Sequence, residues 1–470
     1  MAQCQGMVDS VAAAASCTER SKVPVTKAEI DPQKPYRLEE LIDIAETDNP
    51  RTRIAWEVAK QAADRLGIAR SDYYPRLAAL ALSGDQRLIN PFPEPLAPRG
   101  YVMVEVPVVE AGLGMEYNVF DFGKRGAKIE ASKAIRLAAA AAFQRTNQDV
   151  AFRVVTAYYN LLTAQERLEA SRQNLKTAQT TRAAAEAQLA NGRATLPDVL
   201  NARAAAAQAA YDLESSVGAE GVSRVVLREV IGAEPSDAIT IEPPSASPIP
   251  TEVTASTEKL VDMAMSKRPD LKALAEKLHA ANEEVKVAQA DYRPSFRLQA
   301  SAAQEKVWPS ADFGTLGNAN QTVWSVGMKF QWSLFDGGLR KNEVRLADSK
   351  RREAQSELRE RQDAIGREVW TAYLQFRTAV RQQEAAETLY TSANTSYDAS
   401  LDAYQYGVKN LVDLVTAEMQ LAQARLAVVQ SRSAVRINAA NLDYVTGSLL
   451  QKQPSVVQSA AVSPSSGSEK

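Results

Sequence analysis

YNVFDFGKR at residues 117–125 and WSLFDGGLR at residues 332–340 are one pattern written twice, and this duplication decides the fold. The separation, 332 − 117 = 215 residues, persists for more than a hundred residues. It places Tyr158 on Tyr373, Gly192 on Gly407, Asp198 on Asp413 and Gly232 on Gly447. Upstream, LIDIAETDNPRTRIAWE (41–57) falls on LVDMAMSKRPDLKALAE (260–276) at 260 − 41 = 219, carrying Asp72, Tyr73 and Pro75 onto Asp291, Tyr292 and Pro294. The slip of 219 − 215 = 4 residues lies between the proline and the FD-x-G corner, where a hairpin loop absorbs it. Chance likeness between alanine-rich helices does not keep one register across so many other residue types.

Working outward, each half opens with a helical pattern of about 35 residues (37–73 and 256–292), stopped by Pro75 or Pro294. The period then changes from helical to alternating. Trp324, Val326, Met328, Phe330, Trp332 and Leu334 share one face, and Ser325, Gly327, Lys329, Gln331 and Ser333 the other. Ala111, Leu113, Met115, Tyr117 and Val119 repeat this in the first half, while Leu80 and Leu82 break the phase of the strand after Pro75. Each half therefore holds one hairpin, with loops expected at 85–100 and 304–321. An antiparallel sheet packed on a helical core accounts for this pattern. So does a lipid-facing barrel wall, with Trp308, Trp324 and Trp332 at its aromatic girdles.

Beyond the corners Phe120–Asp121–x–Gly123 and Phe335–Asp336–x–Gly338, a helical pattern without proline spans 124–190 and 339–405. Such a helix would be about 100 Å long. Val150, Val154, Ala157, Leu161, Ala164 and Leu168 form a coiled-coil seam, duplicated as Ile365, Val369, Ala372, Phe376 and Ala379. Val155, Tyr158 and Leu162 add a second stripe, so the helix can touch neighbours on both sides. Glycine turns at Gly192 and Gly407 lead into return helices ending at Gly232 and Gly447. The expected organisation is an N-terminal segment (1–35), a first repeat (36–232), a Pro/Ser-rich linker (233–256), a second repeat (257–449) and a disordered tail (450–470).

Composition narrows the function. The formal net charge is −2, from 55 basic and 57 acidic residues, so no electrostatic case exists for a nucleic-acid partner. One histidine, His279, and two cysteines, Cys4 and Cys17, leave little from which to build a metal site or an imidazole- or thiol-activated nucleophile. No metal, cofactor or enzymatic activity is therefore expected. No stretch has the roughly 20 apolar residues of a membrane-spanning helix. VAAAASC, ending at Cys17, resembles the end of a lipoprotein signal and makes Cys17 a candidate for lipidation. The alternative is a leftover from a mis-assigned start, with export information upstream of Met1. If the strands do lie in lipid, four of them cannot close a barrel, and an open edge would leave backbone groups unsatisfied, so copies must share one wall.

The doubled corner, the FDGG at 335–338 and YGVKNLVDLVTAE at 406–418 resemble the TolC-type outer-membrane efflux proteins over about residues 36–449. The resemblance implies a mainly α fold with a transmembrane β-barrel: a homotrimer whose twelve strands sit on a long periplasmic α-helical barrel. It implies a passive exit duct in the outer membrane of a Gram-negative bacterium, contacting outer-membrane lipid, a periplasmic adaptor and an inner-membrane pump. It further implies a periplasmic gate at Asp198, Tyr404, Lys409 and Asp413, with Thr416 where a second acidic ring would stand, and adaptor docking beside Gly192 and Gly407. Lysine at 409 in place of arginine loses a bidentate link and should loosen any lock. The competing reading is that Asp198 and Asp413 only place favourable charge at helix starts. As whole-chain alternatives, a periplasmic adaptor has one hairpin rather than two, and an envelope hydrolase lacks its nucleophile here.

Overall fold

The computed structural model describes residues 30–91, 97–234, 238–243, 252–253, 256–450 and 457–458; Cys4 and Cys17 lie outside them. Contacts divide the chain into two compact units, one of Met1–Glu57, Ala142–Leu271 and Arg361–Lys470, the other of Val58–Ala141 and Lys272–Glu360.

Element order follows the duplication. The first half runs β1 (Pro35–Tyr36), α1 (Leu38–Asp48), α2 (Pro50–Ser71), β2 (Arg76–Pro91), β3 (Tyr101–Phe120), α3 (Lys124–Ala190) and α4 (Leu196–Ile231). After β4 (Thr240–Ile241) and β5 (Glu252–Val253), the second runs α5 (Thr257–Lys267), α6 (Pro269–Ala290), β6 (Ser295–Val307), β7 (Ser310–Ala311), β8 (Gly314–Thr315), β9 (Ala319–Gln331), α7 (Leu339–Gln405) and α8 (Leu411–Thr446), followed by β10 (Val457–Gln458). The long helices are 67 residues each and the return helices 36 each.

Four expectations need correction. The opening helix of each half is two helices, because Pro50 and Pro269 take the first helical position and force Asn49 and Arg268 into extended backbone. The dipeptides Asn-Pro and Arg-Pro were the signal for that break. The hairpin strands also run further than expected, so 85–91 and 304–307 are strand rather than loop. Finally, the stretch 238–243 inside the expected linker packs into the core: Ile239 and Ile241 are buried beside Tyr36, and β4 pairs in parallel with β1. In the segment expected to be disordered, 457–458 pair antiparallel with 252–253.

In the first unit the predicted seams form the core, except that Ala164 and Leu168 at the end of the first are only half-buried. Val150, Val154, Ala157 and Leu161, with Val155, Tyr158 and Leu162 beside them, are buried, as are Ile365, Val369, Ala372, Phe376 and Ala379. The alanines at 157, 372 and 379 alternate along the seams with larger side chains such as Leu161 and Phe376, so the facing helices interdigitate. At the break between α1 and α2, Asn49 Nδ2 donates to the carbonyl of Val230 at 2.6 Å. Its duplicate Arg268 donates to the carbonyl of Val445 at 3.2 Å, so each break caps the last turn of its return helix. Arg268 is 0% exposed and binds Asp270 (2.7 Å) and Glu368 (2.7 Å), while Arg361 closes the square onto Asp270 (2.8 Å) and Glu368 (2.9 Å). Burial alone would raise the Asp270 carboxyl, but the guanidinium of Arg268, reinforced by Arg361, holds it well below the usual carboxylate range.

In the second unit the strands form one antiparallel sheet ordered β2–β3–β6–β9, with β7 and β8 branching from the loop-side end of β3. The cross-strand rows settle the phase of β2. Ala79, Leu113, Ala302 and Trp324 fall in one row on the apolar face. Leu80 and Leu82 lie opposite Gly112 and Glu110 on the other face, where a leucine methyl of Leu80 fits against the empty space above Gly114.

Candidate functional site

Among the described residues nothing covers the apolar face of the sheet: Leu77, Leu113, Trp324, Val326, Met328 and Phe330 are all exposed, Trp324 at 75%. Exposed apolar side chains aligned on one sheet face mark contact with lipid or with another apolar surface. Strands of 13–20 residues exceed the roughly 9–11 needed to cross a bilayer when tilted. The opposite face is polar, with Ser301 and Ser325 hydrogen bonded across strands at 2.8 Å and Arg297 paired with Glu116 at 3.3 Å. A cavity of about 470 Å³ opens at the strand ends, lined among others by Asp72, Arg76, Lys124, Asp291 and Arg297. Lys128 binds Asp72 at 2.8 Å, and Lys124 reaches across from the first repeat to Asp291 of the second.

The corners turn the chain from strand to helix. Asp121 accepts from the Arg125 backbone N–H (3.2 Å) and its Nε (2.8 Å), so one carboxylate caps α3 and holds the arginine. Asp336 accepts from the backbone N–H groups of Gly338 (3.0 Å) and Arg340 (3.3 Å) and from the Arg340 side chain. Both corners need left-handed backbone. Gly337 and Gly338 supply it in the second, whereas the first sets Phe122 at φ 53° before Gly123, with the ring edge-on to Phe120 at 4.6 Å. Phe335 has no such partner, because its corner carries glycine there.

At the hairpin turns of the first unit, Gly192 (φ 67°) and Gly407 (φ 74°) sit at duplicate left-handed positions, and Gln188 Nε2 of one turn donates to the Gln405 carbonyl of the other at 3.0 Å. Asp198 accepts from the Thr195 hydroxyl (2.6 Å) and backbone N–H (2.9 Å), closing a capping box at the start of α4. Those bonds, hydroxyl first, lower its carboxyl below the ordinary value. At α8 the cap is Asn410, which accepts from the Asp413 backbone N–H at 2.9 Å, leaving the Asp413 carboxylate exposed. Lys409 donates to Ser400 at 3.1 Å rather than to an acid, and Thr416 bonds back to the carbonyl of Val412 at 2.7 Å. The Tyr404 hydroxyl is buried without a hydrogen-bond partner among the described residues. Burial, and then the charge of Asp198, raise its pKa. The structure therefore brings Asp198 and Tyr404 near each other but bonds neither to Lys409.

Sequence reasoning missed Glu418, buried on α8 with one carboxylate oxygen unpartnered; burial pushes its pKa up, partly offset by a bond from Thr181. Its place in an otherwise apolar helix face, between Leu414 and Leu421, was the available signal. Among the described residues, no group of acidic, histidine or cysteine side chains is arranged to hold a metal, and no helix is long and apolar enough to cross a membrane.

Comparison with known proteins converges on one architecture. The chain is similar to the protein CyaE of Bordetella pertussis, 27% identical over 410 residues that cover 87% of this chain and 84% of that one. It is also similar to the outer membrane protein OprJ of Pseudomonas aeruginosa, 25% identical over 81% of this chain and 78% of its relative. Among solved structures, the outer membrane protein VceC of Vibrio cholerae superimposes with a TM-score of 0.72 at 22% identity, covering 87% of this chain and 96% of that one. A membrane protein of Pseudomonas aeruginosa does so with a TM-score of 0.76 at 23% identity, covering 91% and 98%. The pattern of the outer membrane efflux proteins matches twice, over residues 41–233 and 260–448, once for each repeat, and the chain belongs to that family.

Proposed function

We propose that three copies of this chain assemble into one outer-membrane exit duct, and that it passively conducts cargo delivered by a periplasmic adaptor and an inner-membrane pump. The observation that carries this reading is the four-stranded sheet with an exposed apolar face and two open edges, which no packing among the described residues covers. Repeats 36–232 and 257–449 are the units of the wall, each contributing one hairpin and one helical pair. Relatives carry the names of a cation efflux system protein and an alkaline protease secretion protein, so the wall serves several kinds of cargo and selection rests with the pump. Outer-membrane lipid contacts the face built from Leu113, Trp324 and Met328. Adaptor tips dock beside Gly192 and Gly407.

The constriction is assigned to the turns carrying Asp198, Tyr404, Lys409 and Asp413. Tyr404 supports this: its buried hydroxyl has no hydrogen-bond partner among the described residues, it feels the charge of Asp198, and both capping-box bonds fall on Asp198 Oδ2, leaving Oδ1 able to accept. Planar-bilayer recording tests the reading. The purified protein should form channels, and Asp198→Ala or Lys409→Ala should raise their conductance several-fold by electrostatic and steric relief of the constriction. Channels unchanged in both variants would remove the gate assignment, and a purified protein that forms none would remove the duct.

A further inference from the structure

The sheet ends in two open edges, β2 and β9, and the duplication contains a template for joining them. β9 is the duplicate of β3 at a shift of 215, and β2 is the duplicate of β6 at 219. The internal pairing of β3 with β6 therefore has a counterpart between β9 and β2, which one chain cannot make with itself without closing on four strands. The transfer can be checked on the hairpins. Leu298 opposite Met328 maps to 298 − 219 = 79 and 328 − 215 = 113, and Ala79 does stand opposite Leu113. Likewise Ser301 opposite Ser325 maps onto Leu82 opposite Glu110, as observed.

We propose that β9 of one copy pairs antiparallel with β2 of a second copy in the register of the β3–β6 junction, placing Ser325 opposite Gln86, Gly327 opposite Gly84 and Phe330 opposite Ala81. This rests on the shared-wall reading above and specifies its interface.

Three observations support the register. First, in the internal junction Gly112 lies against Ala303 so closely that a Cβ on it would fall 2.4 Å from the alanine Cβ. The transferred pair is Gly327 with Gly84, two glycines with nothing within 4 Å of a Cβ in the single chain, so the closest approach falls where both strands lack a side chain. Second, residues 117–120 are strand because β6 pairs with them, whereas their duplicates 332–335 are not strand. Val119 and Phe120 are 40% and 51% exposed, against 78% and 90% for Leu334 and Phe335, as expected of a strand end waiting for its partner. Third, the register keeps the two faces in phase, setting Phe330 beside Ala81 on the apolar one, while the like-charged opposition of Glu110 and Glu305 becomes Ser325 and Gln86 on the other. A slip of one residue would invert every side chain, so only slips of two or more compete.

Cysteine pairs in the full chain, cross-linked in outer-membrane fractions with a short bifunctional thiosulfonate, test this. Ser325→Cys with Gln86→Cys should yield covalent oligomers about tenfold more efficiently than Ser325→Cys with Gly84→Cys or with Leu88→Cys, because directly opposite Cβ atoms lie about 5 Å apart and diagonal ones about 7–8 Å. The single substitutions and the unsubstituted chain set the background from Cys4 and Cys17, and Glu110→Cys with Glu305→Cys, a pair within one chain, shows that the chemistry works. Should Gln86→Cys hinder assembly, Phe330→Cys with Ala81→Cys reads the same register from the apolar face. Oligomers that link best at a shifted pair, or not at all while the internal control links, overturn the register and leave the shared wall standing. A chain that is monomeric in the same membranes overturns the shared wall itself.

Discussion

Arg268→Ala is expected to cost about 3–5 kcal/mol of folding stability, the penalty for breaking a buried ion pair by removing one partner. The guanidinium is wholly buried; without it the Asp270 and Glu368 carboxylates keep only Arg361, and the Val445 carbonyl loses its donor. Denaturant unfolding of the detergent-solubilised protein measures the loss. Asn49→Ala, at the duplicate position, removes a neutral hydrogen bond to Val230 and should cost only about 1 kcal/mol. Equal losses at the two positions would show that the charges contribute nothing beyond the cap. The pH dependence has a definite sign. The folded Asp270 carboxyl is depressed below its unfolded value, so its contribution is present in full above about pH 4 and disappears as pH falls through the folded pKa. The wild-type protein should therefore lose stability on acidification below that point more steeply than Arg268→Ala.

Gly112→Val is expected to be the most damaging substitution in the sheet. Even a Cβ would lie 2.5 Å from the Ala302 carbonyl oxygen and 2.6 Å from the Ala303 Cα, backbone atoms that cannot rotate away. The strands must separate or slip, at a cost of about 1–3 kcal/mol for overpacking, with lost ladder bonds added. Because the two repeats meet in the sheet through β3 and β6, the loss should appear as failure to assemble rather than as a lower melting temperature alone. The heat-resistant oligomer on semi-native gels is the readout. Gly114→Ala, whose added methyl meets nothing closer than 3.4 Å in the chain, should assemble far better.

Much of this architecture was legible from residue order because the chain states it twice. The seam from Val150 to Leu161, the turns at Gly192 and Gly407 and the αL ends at Gly232 and Gly447 each follow from a periodicity or a required backbone angle, and each recurs at the same shift. The break before Pro50 was missed because helical periodicity continues across it; a proline at a first helical position costs nothing and leaves the apolar stripe intact. Leu80 and Leu82 misled for a different reason. A strand's phase is fixed by its partners, and Gly112 opposite Leu80, with Gly114 diagonal to it, makes room for leucine on the polar face. The turn chemistry was least legible. Asp198 and Asp413 occupy duplicate positions, yet Asp198 completes a capping box with Thr195 while Asn410 caps in place of Asp413, a division set by one residue's difference at the preceding cap. The square around Arg268 depends on Glu368 and Arg361, about a hundred residues away in sequence, and no local pattern announces it.

The central claim is that one wall is shared between copies. The number of polypeptides per particle, from light scattering of the protein purified in mild detergent, tests it most directly. Three chains of 51.1 kDa per particle is the predicted result; a stable monomer that retains its sheet would contradict it.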